Sequence, residues 1–219
     1  MTEAMYTATA ATTPTRIPAR VSYGQATVHS VLDEALISHV GFIVDGRPVV
    51  LPHLHARIGE TLYLHGSTGA RALRTAEDGG LAVCVTATVL DGLVLARAAF
   101  HHSVNYRSVV AHGTATVVED DAERRAALDA LVEAVVAGRS SGSRTPSRKE
   151  LAATTVLRLP LVEVSVKVRS GGPVDDAEDV ELPYWAGVLP VSLHPGAPLP
   201  VDDLPAGTPV PEHITTWSR

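Results

Sequence analysis

The chain has 219 residues, a formal net charge of −6, 45% apolar and 19% charged residues, and one cysteine. That balance fits a soluble globular protein with its own core. It gives no electrostatic pull toward nucleic acid and excludes a disulfide framework or a cysteine-rich zinc site. No apolar run is long enough to span a membrane. The opening MTEAMYTATAATTPTR lacks a secretory pattern, so a cytoplasmic protein is expected.

Residues 1–22 read as a flexible lead rich in Thr and Ala. From Gln25 to Leu36 the pattern predicts a short helix with Val28, Val31, Leu32 and Ala35 on one side. Ala35 to Gly66 reads as three antiparallel strands, with turn signals at Asp45-Gly46 and Gly59-Glu60. Ser67-Thr68-Gly69 then precedes ARALRTAED, a predicted short helix. A second meander follows: LAVCVTATVL, a turn at Asp91-Gly92, LVLARAAF, and a strand through VVAHGTATVVED. AERRAALDALVEAVVAG predicts a helix with Leu128, Leu131, Val132 and Val135 on one stripe. Gly138 to Ser147 is a polar Gly/Ser loop. Ser147 with Glu150 makes a capping-box start for a helix to about Thr155, and LVEVSVKVRSG alternates as a strand. Residues 195–219 form a Pro-rich arm that packs on a partner or is partly disordered. Six or seven strands with few helices between them predict a mainly β fold with flanking helices, built as a closed or split antiparallel barrel.

Three stretches carry chemistry. In HGSTGARALR the Ser67 and Thr68 hydroxyls, the backbone amides of a helix start and the Arg71 and Arg74 guanidinium groups form an anion site. The alternative is a capped surface helix with two solvated arginines. The stretch is neither a Walker loop nor a Rossmann fingerprint. His53 and His55, two apart, would share one face of a regular strand. His65, His101, His102 and His112 are further donors, but no second pair or carboxylate sits at recognisable metal spacing, so no metal is assigned. A single haem-ligating histidine stays open.

The third stretch, Ala99 to Val117, collects His101, His102, Ser103, Asn105, Tyr106, Arg107 and Ser108 at the start of a strand. His101 and His102 would face opposite sides, and Ser103, Asn105 and Arg107 one side, where they could bind a phosphate-bearing ligand or bridge to a partner subunit. A serine–histidine triad is rejected because the Gly-x-Ser-x-Gly elbow is missing. Lys167 and Arg169 alternate on a late strand and read as a solvated edge, with a functional lysine as the alternative. Cys84, in an apolar run, reads as an inert buried thiol.

TLYLHGSTGARALR and DGLVLARAAFHHSVNYRSVVAHGTA together resemble the pyridoxamine 5'-phosphate oxidase-like, flavin-binding split-barrel superfamily, in its nitroimidazole-resistance or flavin-nucleotide-binding branch. The resemblance spans Tyr23 to Leu193 and implies a six-stranded antiparallel split barrel over residues 23–194. It implies a homodimer that binds FMN at the subunit seam. The phosphate would lie on His65, Gly66, Ser67, Thr68, Arg71 and Arg74. The flavin ring would run beside Val50, Leu51, Pro52 and His53, with Asn105, Arg107 and Ser108 near the pocket or seam. The implied activity is hydride or electron transfer to a small organic acceptor such as a nitro-aromatic, with His101 or His102 as a proton donor. Binding of haem or flavin without turnover is the alternative. The sequence departs from the branch at Gly24-Gln25, Ala98-Ala99, His53 and His55. It also lacks the Arg/Trp-rich C-terminal motif of the vitamin B6 oxidases, which argues against that activity.

Overall fold

A computed structural model describes residues 3–69 and 79–218. Arg71, Arg74 and the helix expected around them lie outside the described residues. The strands are β1 (Val21–Ser22), β2 (Ser38–Val44), β3 (Arg47–His53), β4 (His55–Ile58), β5 (Thr61–Ser67), β6 (Leu81–Leu95), β7 (Ser103–Val117), β8 (Thr154–Pro160), β9 (Glu163–Arg169) and β10 (Gly187–Pro190). The α-helices among the described residues are α1 (Gln25–Glu34), α2 (Asp121–Val135), α3 (Arg148–Ala153) and α4 (Glu212–Thr215).

All strand pairs are antiparallel, in the order β3-β2-β6-β7-β8-β5-β4, while β9 pairs with β7 and β1, and β10 with β6. The two ends of this path, β3 and β4, are consecutive in the chain and separated only by Leu54. The sheet therefore curls back on itself and is bridged there by covalent chain, the geometry of a split barrel. Among the described residues ten strands appear in place of six. The expected strand Arg47–Arg57 is broken at Leu54, and the short β1 and β10 are added from the flanking segments.

Two turn expectations meet different outcomes. Asp45 (φ 50) and Gly46 (φ 73) both adopt positive φ, which matches the twist of a two-residue hairpin between β2 and β3. Asp91-Gly92 is no turn: β6 runs through it for 15 residues, with a bulge between Leu90 and Gly92 opposite β7. A Cβ on Gly92 would stand 3.0 Å from Val188 Cγ1 and 3.1 Å from the Leu189 carbonyl of β10. The glycine admits a neighbouring strand rather than reversing the chain. β8 was not expected; α3 stops at Ala153 and its last turn passes directly into the strand.

The core is built of Val, Leu and Ala, with Leu62, Val85, Val109, Leu159, Val164 and Val166 at most 1% exposed. α1 plugs it with Val28, Val31, Leu32 and Ala35, the side read from the sequence. A second, smaller cluster of Tyr63, Val118, Ala127 and Val156 lies under α2. On the expected α2 stripe Leu131 is buried, while Val132 and Val135 remain more than a third exposed.

The N-terminal lead is docked. Ala4 O accepts from Gln25 N at 2.9 Å at the start of α1. Tyr6 enters the core, its hydroxyl donating to Glu60 at 2.5 Å and lying 2.9 Å from His29 Nε2. At the other end Trp217 Nε1 donates to Val135 O at 3.0 Å, returning the Pro-rich arm to α2.

Truncating Leu62 to alanine removes a fully buried side chain and is expected to cost about 2–5 kcal/mol. Leu199→Ala, at a position 91% exposed, should change stability by less than about 0.5 kcal/mol. Urea unfolding of the two variants checks the placement of the core.

Candidate functional site

β5 lies between β4 and β8 and divides its side chains between two layers. Leu62 and Leu64 enter the barrel core and Tyr63 the layer beneath α2. His65 lines a cavity of about 230 Å³ walled by Leu128, Val132 and Val135 of α2, with Ser140, Ser143 and Arg144 from the Gly/Ser loop. Its Nδ1 is buried without a hydrogen-bond partner. Burial lowers the pKa of His65. Burial also lowers that of His53, aided by the neighbouring His65 and opposed by the His65 backbone. Both rings are thus held toward the neutral form.

Beyond His65 and Gly66, β5 ends in the exposed turn Ser67-Thr68-Gly69. Ser67 Oγ accepts from Gly69 N at 3.3 Å, and Thr68 N donates to Ala153 O at 3.2 Å, fixing the turn against α3. β3 is one end of the strand path, with Val50 63% and Leu51 44% exposed and Pro52 also exposed. His53, His65 and the Ser67–Gly69 turn therefore belong to one region. His55 does not join His53 as expected. With the strand broken at Leu54, His55 turns inward, 3% exposed, with Nε2 2.8 Å from Leu32 O.

The second cluster is organised differently from its sequence reading. His101 lies in a 3-10 turn, Ala99–His101, and β7 begins only at Ser103, so alternation does not apply to the two histidines. His101 Nε2 is 3.1 Å from Asp176 Oδ2, and His102 Nδ1 is 3.2 Å from Ala98 O. The donor atoms of His101, Asp176 and Asp179 lie within 4.8 Å of one another, a grouping the sequence spacing did not reveal. Exposed acidic groups commonly assemble this way without an ion.

Asn105, Arg107 and Ser108 are engaged within the chain. Asn105 Nδ2 donates to Gly171 O at 3.2 Å, and its Oδ1 accepts from Arg169. Arg169, expected on a solvated edge, is 7% exposed and also donates to the carbonyls of Gly171 and Gly172. Ser108 Oγ is 2.9 Å from Thr88 Oγ1. All three guanidinium nitrogens of Arg107 are used: Nη2 donates to Glu34 Oε1 at 2.8 Å and Asp91 Oδ1 at 2.7 Å, Nε to Asp91 Oδ2 at 3.0 Å, and Nη1 to Glu34 Oε2. Hydrogen bonds donated to both carboxylates raise its pKa. Cys84 is half-buried, and burial raises its thiol pKa, which fits an inert thiol.

The Ser67 turn and the two histidines of the second cluster sit at opposite ends of β7. His101 and His102 precede Ser103, whereas the Ser67 turn lies beyond Val117, because Ser67 pairs with Thr154 and Leu157 pairs with Val117. The strand contour between them is about 46 Å at about 3.3 Å per residue. The structure joins His53, His65, Gly66, Ser67 and Thr68; the Ser67 turn and the His101–His102 pair lie beyond opposite ends of β7, whereas His53 stands level with Val109, next to Ser108, through Ser38 of β2 and Ala87 of β6.

Two expectations follow. Arg107→Ala strips the counter-charge from Glu34 and Asp91 and should cost roughly 1–3 kcal/mol, discounted for partial exposure; Arg107→Lys should recover less than half, lacking the fork. Equilibrium urea unfolding at pH 7 measures both. For His53 and His65 the folded pKa lies below the unfolded 6.5, so the unfolded chain binds more protons there. Their contribution is intact above pH 6.5 and is lost as the pH falls below it. The slope of stability between pH 7.5 and 5.5 should flatten in His65→Asn.

Comparisons place this geometry. Residues 24–168 match the family described as pyridoxamine 5'-phosphate oxidase. The flavocytochrome Anf3 from Azotobacter vinelandii is 35% identical, with 95% of this chain and 97% of that chain covered at a TM-score of 0.87. An FAD- and haem-binding protein from Mycobacterium smegmatis is 39% identical, covering 91% of this chain and 97% of its own at a TM-score of 0.85. A Bacteroides thetaiotaomicron protein provisionally assigned to 5-nitroimidazole antibiotic resistance is 23% identical over 68% of this chain and 86% of its own, with a TM-score of 0.57, and shares the fold. No curated protein matches the chain. With a family match over two thirds of its length and a split-barrel sheet, the chain belongs to the pyridoxamine 5'-phosphate oxidase-like family of flavin-binding split barrels.

Proposed function

We propose that this chain is a flavin-binding redox protein acting on a small organic acceptor. The observation that carries the reading is the Ser67-Thr68-Gly69 turn, which ends β5 with hydroxyls exposed beside the neutral pair His53 and His65. A phosphate fits this donor set: Ser67 and Thr68 hydroxyls donate to it, and among the described residues a Cβ built on Gly69 would meet only Ser67 Oγ, at 3.7 Å. The expected contributions of Arg71 and Arg74 rest on the sequence alone. Val50 and Leu51, exposed on opposite faces of β3, offer apolar contact to the ring along this end strand. When bound, the flavin supplies the electron or hydride chemistry. The chain's residues anchor the phosphate and orient the ring.

The resemblance implies FMN; the name of the Mycobacterium relative favours FAD, and the same turn would hold either at a phosphate. Haem, which both relatives at 35% and 39% identity carry in their names, is the second reading. The observation favouring it is His65, a neutral imidazole on an apolar wall with Arg144 nearby, the pairing of nitrogen donor and cation that a haem with propionates requires.

A homodimer completes the proposal. Ile43, Val50 and Leu51 on β2 and β3 are between 44% and 63% exposed, an apolar edge that needs cover. Since His101 and His102 lie beyond one end of β7 and the Ser67 turn beyond the other, a second copy is the means by which His101 or His102 would reach a flavin held at Ser67. Among the described residues no helix is long and apolar enough to cross a membrane, and we place the protein in the cytoplasm.

The purified chain should show flavin absorption near roughly 370 and 450 nm, and chromatography of the released nucleotide separates FMN from FAD. Ser67→Ala with Thr68→Ala should weaken retention about 10- to 100-fold, on the order of 1.5–3 kcal/mol for charged hydrogen bonds. Light scattering should give twice the chain mass. A colourless protein that binds no added flavin would sink the reading.

A further inference from the structure

The cavity at His65 measures about 230 Å³, below the about 300–1,000 Å³ of ordinary small-molecule pockets. A haem-sized ring enters it only if a wall moves. Two walls are fixed: His65 belongs to β5, paired with β8, and α2 is seated by its buried Ala127 and Leu131. The third is the segment from Ser140 to Pro146. None of residues 137–150 is buried, so this wall has no anchor in the core. Its own ties are polar. Glu133 accepts from Gly138 N at 2.5 Å and Ser140 N at 2.8 Å, and Arg144 donates to Glu150 at 2.7 and 3.0 Å. An exposed ion pair such as the latter contributes little and weakens with salt.

The end of the chain lies against this segment. His213 of α4 packs on two glycines: a Cβ on Gly138 would stand 3.5 Å from His213 Cβ, and a Cβ on Gly142 would stand 3.3 Å from His213 Cε1. The missing side chains give the imidazole its seat. Trp217 Nε1 then donates to Val135 O at 3.0 Å, a carbonyl at the end of α2 where the helix supplies no partner. Val135 itself lines the cavity, so the docked chain end and the cavity share a residue. We propose that His213 and Trp217 form a clasp that holds the Ser140–Pro146 segment shut over His65, and that its release admits a planar, haem-sized ligand to that imidazole. The hinge is Gly138, whose φ of 83° suits glycine alone at low cost. The ligand named here rests on the haem reading of His65; the clasp stands apart from it.

Trypsin acting on the folded full chain reports the segment, because Arg139 and Arg144 lie at its start and within it; mass spectrometry follows the cuts after each. His213→Ala combined with Trp217→Ala should speed them about tenfold, since cleavage tracks the open population. Leu199→Ala, on the same arm but 91% exposed, should leave them unchanged. Gly138→Cys combined with His213→Cys sets two thiols on carbons 3.5 Å apart, at the short end of the disulfide range of about 3.5–4.5 Å. Its oxidised form should resist trypsin and its reduced form should not. Comparing the two forms of one chain cancels the backbone cost at residue 138, and the pair decides the matter should the double alanine variant unfold. Added haemin reports the cavity: its Soret band should grow about tenfold faster with the double alanine variant than with the unaltered chain, and stall with the oxidised disulfide. Cleavage untouched by the paired alanines, or haemin taken up equally fast by the oxidised and reduced forms, would overturn the clasp. Should no form bind haemin, the haem reading falls and the trypsin rates alone decide whether the clasp exists.

Discussion

An arginine in the middle of a long strand has to find negative charge, and Arg107 finds it in two places at once. Its fork ties Glu34 at the last turn of α1 to Asp91 in the bulge of β6. Three elements distant in sequence are thereby brought into register: the helix that plugs the barrel, the bulge that lets β10 approach, and the strand from which the arginine projects. The bulge is needed because Asp91 must leave the regular ladder to face the guanidinium, and Gly92 beside it must lack a side chain for β10 to pass. Glu34 and Asp91 also line a cavity of about 560 Å³ beside Pro52 and His39.

Much of the fold was legible because its signals are local. Asp45-Gly46 demands positive φ at two adjacent positions, and α1 shows its buried side in the spacing of Val28, Val31, Leu32 and Ala35. The same kind of signal misled at Asp91-Gly92. A dipeptide that favours a turn is equally suited to a bulge, and what decides between them is the approach of β10, nearly a hundred residues later. The break at Leu54 was hidden for a related reason: the alternation of RPVVLPHLHAR continues across it, and only the partners of each half, β2 on one side and β5 on the other, separate the strands.

The candidate site was legible in composition and less so in arrangement. Ser67, Thr68, His53 and His65 come together as the sequence suggested. Asn105, Arg107 and Ser108 looked available because a sequence shows donors and not their partners. Glu34, Asp91, Thr88, Arg169 and the Gly171-Gly172 carbonyls lie far away in the chain, so no window around residue 105 could reveal that these groups are already engaged. A polar cluster on a strand is thus as consistent with a braced framework as with a ligand wall.

The pairing of β1 with β9 joins Val21 to Lys167, and Tyr6 reaches Glu60 through its hydroxyl. During synthesis the first strand must therefore wait, unpaired, until almost the whole barrel has been made. Contacts this distant close slowly because loop entropy must be overcome before they form. A lead rich in Thr and Ala, with little apolar surface to aggregate, suits a segment that spends that interval exposed. The end of the chain that is made first is among the last to be locked in place.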